Sequence, residues 1–300
     1  MDNRKAKSQV QAFAHKVFLT LLMKRPVQKM LLPLGRELQP ERWIFVIGCY
    51  NSATTLLAKL LRQHPGIGGL PNEGAFLTDA LPYPETYGWP RMWSQCIDEV
   101  RLLPGPGESA RARRIRRQWS LWFPGDTPYL VEKSISNAAR LLFLQEYFQP
   151  AYFIYIVRNG YVVAKGIQQK ANYSRWNCSH RESGYPIELC AEQWRKSDEV
   201  VTADSGKLKN FLPLTYEELT ADPAGLFRRI TDFLGIEPMD STVFEDTMSV
   251  HGTVSRITNM NHVGLGRLAP EDFEKIQSVA ADTLKKYGYD STGDDHNSGP

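Results

Sequence analysis

The 300-residue chain has 36 basic and 33 acidic residues, a net charge of +3, and 42% hydrophobic residues, with 11% aromatics. So balanced a charge excludes a protein that coats nucleic acid nonspecifically, and any anion site must be local. The hydrophobic content excludes a disordered chain and suffices for one large core.

Arg4, Lys5 and Lys7 precede the apolar run "VFLTLLM" at 17–23, which Lys24, Arg25 and Pro26 close. Such a run is too short to span a bilayer, which takes about 20 residues, and no small-residue cleavage site follows it. An N-terminal helical extension over 1–40 is expected, either an amphipathic helix packed on the domain or a basic helix touching a membrane surface. The main domain is expected over 41–290, and "STGDDHNSGP" at 291–300 reads as a disordered tail. Cys49, Cys96, Cys178 and Cys190 show no CxxC spacing, which suggests neither a zinc site nor a disulfide framework. Cys178 and Cys190 would pair only in an exported chain, and a reducing, cytoplasmic location is the expectation.

Four strands are predicted at 43–48, 129–133, 152–157 and 211–216, each a nearly continuous apolar run of the kind buried on both faces of a parallel sheet. Helices are predicted at 54–63, 136–148, 160–170, 188–204 and 222–234. This alternation specifies an α/β fold, a parallel β-sheet flanked by helices. The irregular stretches 71–128 and 171–187 are too long for plain connections and read as pocket walls. Within the first, "RARRIRRQW" at 111–119 predicts a helix whose arginines form a solvated basic face or a docking surface for an acidic partner. Trp89, Trp93, Trp119, Trp122, Tyr83 and Tyr87 are candidates for stacking on an acceptor or for the core.

In such a sheet, ligands bind beyond the carboxyl ends of the strands. The first strand ends in Gly48 and passes through Cys49, Tyr50, Asn51, Ser52 and Ala53 into a helix opened by Thr54 and Thr55. Unpaired N–H groups and a positive dipole end at that position suit a phosphate. Against the nucleotide-triphosphatase pattern GxxxxGK[ST], Ala53 takes the place of the second glycine and Thr54 that of the lysine. The loop therefore suits a ligand with fewer phosphates and no metal. Lys133 ends the second strand and Arg158 the third, with Lys165 and Lys170 further along the following helix. A guanidinium fork at Arg158 suits a second, separate phosphate. Tyr216 ends the fourth strand, and Glu217 is placed to cap the next helix. Glu73 by itself reads as an exposed loop carboxylate capping a short helix. His64 reads as the closure of the first helix or a second base; His180 and His262 lie in wall or lid segments, and Ser255 or Thr258 approaches the ligand.

The stretches "FVIGCYNSATTLLAKLLRQHP", "FIYIVRNGYVVAKGI", "AEQWRKSDEV", "PLTYEELTADPAGLFRRITDFLGI" and "RLAPEDFEKIQSVAADTLKKYGYD" resemble, in order, the sulfotransferase family. These enzymes use 3′-phosphoadenosine-5′-phosphosulfate (PAPS) as sulfuryl donor, without a metal. The pattern is most similar to the branch of tyrosylprotein sulfotransferases and many bacterial members, and the resemblance implies the P-loop-containing sulfotransferase fold. It implies that Gly48, Asn51, Ser52, Ala53, Thr54 and Thr55 bind the 5′-phosphosulfate and that Arg158 binds the 3′-phosphate. Tyr216 and Trp194 would lie beside the nucleotide, and Lys170 would compensate for lost charge. Lys133 would stabilise the transferring group, with Glu73 as catalytic base. Three positions depart from the branch: Asn51 replaces an arginine or lysine, Ala53 a glycine, and Gly166 a serine. The expected acceptor is a hydroxyl or amine of a small metabolite or glycan. A P-loop kinase relative and a catalytically decayed adenosine 3′,5′-bisphosphate-binding protein are the alternatives.

Overall fold

The computed structural model describes residues 24–289 except 124, 126, 172, 174–177, 179–183, 245–247, 251 and 252. The basic and apolar stretch up to residue 23, His180, the side chain of Ser255 and the tail at 291–300 lie outside the described residues.

Strands β1 (Arg42–Gly48), β2 (Ile67–Gly69), β3 (Tyr129–Glu132), β4 (Ala151–Val157) and β5 (Phe211–Thr215) form one sheet in the order β2-β3-β1-β4-β5. Every neighbouring pair is parallel. Alternate side chains of β1 and β4 enter opposite cores: Trp43, Phe45, Ile47, Phe153, Tyr155 and Val157 on one face, and Ile44, Val46, Ile154 and Ile156 on the other. Burial on both faces explains why these strands lack a polar alternation.

The described helices include α1 (Arg25–Leu31), α2 (Thr54–Leu61), α3 (Glu108–Trp119), α4 (Leu141–Tyr147), α5 (Gly160–Lys170), α6 (Ile187–Ser205), α7 (Tyr216–Ala221), α8 (Pro223–Leu234), α9 (Asn261–Leu265) and α10 (Pro270–Lys286). Helices α2, α7 and α8 cover one face, whereas α3 to α6 and α10 cover the other. No described helix is long and apolar enough to cross a membrane.

The structure departs from the predicted elements in several places, adding helices α7, α9 and α10. Strand β2 is a fifth strand, and Met248–Val250 pairs with Thr253–Ser255 in an antiparallel ribbon. The helix predicted at 136–148 is broken into a 3-10 turn, Ile135–Ala139, and α4. Arg140 sits at the break with non-helical φ −136 and ψ 17, where its buried guanidinium donates to the carbonyls of Val100 and Pro82. The capping role expected of Glu217 belongs to Glu218, which closes a capping box with Thr215 at the start of α7.

The arginines of α3 are internal fasteners. Arg114 makes two 2.7 Å hydrogen bonds to Asp79, Arg116 holds Glu37 and the Tyr147 carbonyl, and Arg117 donates to the Gly35 carbonyl. Arg113 is the exposed member, its side chain 69% accessible. The helix thus ties the segment before β1 and the wall after β2 to one scaffold, which differs from both functions expected of the cluster. Cys49, Cys96, Cys178 and Cys190 are buried, and no disulfide joins them.

Candidate active site

Because the five strands run parallel, their carboxyl ends share one edge. Across it stand, in spatial order, Glu73 beyond β2, Lys133 after β3, the Cys49–Thr55 loop after β1, Arg158 after β4 and Tyr216 after β5. Neighbouring strands are about 4.8 Å apart, so these groups span the width of a nucleotide and its substituents.

The loop is built by close approach. A Cβ at Gly48 would stand 2.6 Å from the Ile156 carbonyl oxygen and 2.8 Å from Thr54 Cγ2, so glycine is required where the chain leaves the sheet. Asn51 and Ala53 adopt left-handed φ of 61° and 68°. The Ser52 N–H closes the turn on the Cys49 carbonyl at 3.3 Å, and the N–H groups of the first turn of α2 have no partner within the helix. Ser52 is fully buried, and its Oγ, like the Asn51 Nδ2, has no hydrogen-bond partner. Thr54 is buried and Thr55 half-buried. Buried, unpaired polar atoms are costly, and these face a loop whose N–H groups favour an anion, so the residues fit a phosphate or sulfate group. Alanine in the left-handed region costs about 1–2 kcal/mol, partly offset by glycine's greater unfolded entropy. Ala53→Gly is therefore expected to raise stability by about 0.5–1 kcal/mol in chemical denaturation.

Arg158 is fixed before any ligand arrives. Its Nε donates to Asn261 Oδ1 at 2.8 Å, its Nη1 to the Asn51 carbonyl at 3.0 Å, and its Cζ lies 4.0 Å from the Tyr216 ring centroid. Tyr216 is itself held, donating to the Thr258 carbonyl and accepting from the Met260 N–H. Glu217 braces the other side: one carboxylate oxygen accepts from Asn261 Nδ2 and the Asn159 N–H, and the second from the Tyr289 hydroxyl. Among the described residues Arg158 forms no ion pair. Burial, the largest influence, lowers its pKa despite Tyr216, Glu217 and Tyr289. Trp194 is 2% exposed, donates to the Arg158 carbonyl at 3.1 Å and packs under Gly160, where a Cβ would meet its ring at 2.7 Å. It supports the strand end from below.

The base side has its own clamp. Lys133 Nζ lies 2.8 Å from Glu73 Oε1, and the Ile135 N–H points at Oε2 from 3.4 Å. Glu132, buried on β3, accepts from the Gly74 N–H at 2.8 Å, while Ser134 Oγ accepts from the Ala75 N–H and Trp119 donates to the Gly74 carbonyl. These contacts fix the backbone just after Glu73. Trp119 and Trp93 are core residues, and Trp89, Trp122 and Tyr83 are partly buried against the core, whereas Tyr87 is 41% exposed. His64 uses both ring nitrogens, toward the Glu237 carbonyl and the Gly66 N–H, in closing α2. His262 and Thr258 are exposed.

The cations expected to converge with Arg158 divide. Lys165 is drawn away to Asp272 at 3.0 Å, because α10 packs on α5 at that turn. Lys170, exposed at the last residue of α5, has its pKa lowered first by desolvation and then by the like charges of Arg91, Arg158 and Arg267. Arg91 belongs to the site, donating to Asn51 Oδ1 in the loop at 3.0 Å, although it does not lie at a strand end. A left-handed φ of 61° at Arg91 was not legible, because it falls on an arginine and not on the nearby Gly88.

Glu85, beside Arg91, has a pKa raised to about 7, by burial first and by the negative charge of Glu73. A carboxyl raised above its unfolded value holds its proton in the native state. Its stabilising contribution is full below about pH 4.5 and lost as pH rises through about 7. Glu85→Gln is therefore expected to remove this slope, gaining about 1–3 kcal/mol over wild type at pH 8 and almost nothing at pH 4.5, as read by denaturation at both pH values.

A family model described as "Sulfotransferase family" matches residues 43–241. The protein-tyrosine sulfotransferase A of Caenorhabditis elegans is 24% identical over 78% of this chain and 69% of its own. A crystal structure of a Mycobacterium avium sulfotransferase superposes with a TM-score of 0.51 at 15% identity, over 85% of this chain and 78% of that one. A mouse sulfotransferase solved with PAP gives 0.48 at 15% identity, over 87% and 94% of the two chains.

Proposed function

The chain belongs to the sulfotransferase family, and from that premise we propose that its sheet edge binds PAPS and transfers the sulfuryl group to a hydroxyl of a small acceptor. The observation that carries the donor reading is the loop after β1, where the Ser52 hydroxyl and Asn51 Nδ2 are buried without a hydrogen-bond partner, beside the Arg158 guanidinium that the Asn51 carbonyl, Asn261 and Tyr216 hold in place. Buried donors left unpaired in this way are unfavourable until an anion joins them. The loop residues Gly48, Asn51, Ser52, Ala53, Thr54 and Thr55 would hold the 5′-phosphosulfate. Arg158, stacked on Tyr216 and supported by Trp194, would hold the 3′-phosphate with help from Lys170.

When bound, the donor supplies a sulfur whose bond to the 5′-phosphate oxygen breaks as the acceptor oxygen attacks in line. Glu73 takes the proton of the acceptor hydroxyl. Lys133, together with the loop N–H groups, neutralises the charge left on the phosphate oxygen. The demands resemble those of phosphoryl transfer, where position and electrostatics dominate. Phe76, three residues after Glu73, packs edge to face on Tyr83 at 4.9 Å, and this aromatic wall favours a small hydroxylated molecule. We assign the catalytic domain to 41–290 and the N-terminal extension to 1–40. The four buried thiols, joined by no disulfide, favour a reducing, cytoplasmic location.

Calorimetry with adenosine 3′,5′-bisphosphate, followed by transfer of radiolabelled sulfate to metabolite, glycan and peptide acceptors, tests this reading. Binding and transfer are expected. Absence of bisphosphate binding favours the kinase relative, and binding without transfer to any acceptor favours the decayed module.

A further inference from the structure

The loop that would hold the phosphosulfate has no cation of its own between Cys49 and Thr55. The structure brings one from 40 residues away. Arg91 Nη2 donates to Asn51 Oδ1 at 3.0 Å, and its guanidinium carbon lies 5.1 Å from the centroid of the Tyr50 ring. Its Nε is buried and has no hydrogen-bond partner, as do Asn51 Nδ2 and the hydroxyl of Ser52. Among the described residues Arg91 forms no ion pair. Two N–H donors and a hydroxyl are therefore left unsatisfied on adjoining side chains of this loop and its partner, and such donors favour an anion.

The placement is held against strain. Arg91 has φ 61, a conformation that costs a non-glycine residue of order 1–2 kcal/mol and persists only where its surroundings enforce it. They do so here: the Arg91 N–H points to Glu85 Oε1 at 3.4 Å, the Tyr185 hydroxyl donates to the Pro90 carbonyl at 3.0 Å, and Trp89 stacks on Tyr185. Opposite, a Cβ at Gly166 would stand 2.7 Å from Asn51 Nδ2. The missing side chain at 166 is what lets Asn51 lie against α5 and present its oxygen to Arg91. Two of the three departures from the family pattern, Asn51 and Gly166, thus form one arrangement with Arg91 as its third member.

Building on the donor reading above, we propose that Arg91 is a donor-binding residue that contacts the 5′-phosphosulfate, supplying the positive charge that position 51 lacks, with Asn51 as its positioning residue.

The test compares adenosine 3′,5′-bisphosphate with adenosine 3′-monophosphate, which lacks the 5′ group, by calorimetry on wild type and Arg91→Gln. Glutamine keeps a polar side chain of similar stem and removes the charge. The expected result is a loss of about 10- to 100-fold for the bisphosphate and an unchanged affinity for the 3′-monophosphate, with partial recovery when Asn51→Arg is added. Equal losses for both ligands, or no loss for the bisphosphate, would overturn the role of Arg91 while leaving the donor reading intact. Failure of the wild type to bind either ligand would overturn both. Should Arg91→Gln lose its cooperative melting transition, Arg91→Lys carries the same comparison: it keeps the charge without the fork, and a smaller loss confined to the bisphosphate is expected. Loss for both ligands, or for neither, refutes the assignment.

Discussion

Replacing Glu73 by glutamine is expected to lower turnover at saturating donor by about 10²- to 10⁴-fold, with bisphosphate affinity unchanged. The substitution keeps the size and one oxygen of the side chain, so the clamp on Gly74 and Ala75 by Glu132, Ser134 and Trp119 is undisturbed. What it removes is the ability to take a proton, and with it the ion pair to Lys133 at 2.8 Å. Freed from Glu73, Lys133 retains its place at the end of β3, next to the loop, and still meets the phosphate oxygen. A base role therefore predicts a defect in the chemical step alone. Single-turnover measurement of labelled sulfate transfer, beside calorimetry of the bisphosphate, separates the two quantities. Near-normal turnover with bound donor would show that the proton leaves by another route. Glu85 is the neighbouring carboxyl that would then come under test, because it lies close enough to feel the charge of Glu73.

The parts of the molecule legible in the sequence are those set by local or periodic rules. Strands β1 and β4 were legible because both faces are buried, leaving unbroken apolar runs, and the start of α5 because Asn159 caps it with hydrogen bonds to the N–H groups of Tyr161 and Val162. Strand β2 was not legible, because "IGG" has two glycines and one apolar side chain, and its pairing with β3 is what makes it a strand. The strand ends placed Lys133, Arg158 and Tyr216 on one edge because parallel topology requires it. Partners supplied over long sequence separations left no such trace. Asn261, which fixes Arg158, is 103 residues away, and Arg91, which meets Asn51, is 40. Lys165 looked equivalent to Lys170 by helical spacing, and only the docking of α10 decides between them. The arginines of α3 likewise read as surface until Asp79, Glu37 and the backbone at Gly35 come to meet them.

Replacing Arg158 by alanine is expected to weaken bisphosphate binding by about 10- to 100-fold, and this loss should follow the 3′-phosphate. A ligand carrying that group alone loses most of its affinity, whereas adenosine 5′-monophosphate binds the variant much as it binds wild type. The reason lies in how little of the cost remains to be met on binding. Asn261, the Asn51 carbonyl and the Tyr216 ring hold the guanidinium in place, so its contact with an anion needs no further ordering of the side chain. Arg158→Lys should recover only a minor part, since an ammonium cannot reproduce both hydrogen bonds and the stacking on Tyr216. The variant also removes one of the like charges that depress Lys170, so the Lys170 pKa should rise toward its ordinary value, which NMR titration of the side chain would read. An alanine variant that binds the bisphosphate normally would mean that the 3′-phosphate is seated elsewhere, and the assignment of β4 as the nucleotide end of the site would fall with it. If the affinity falls but Lys170 does not move, Arg158 acts on the ligand without sharing a field with Lys170.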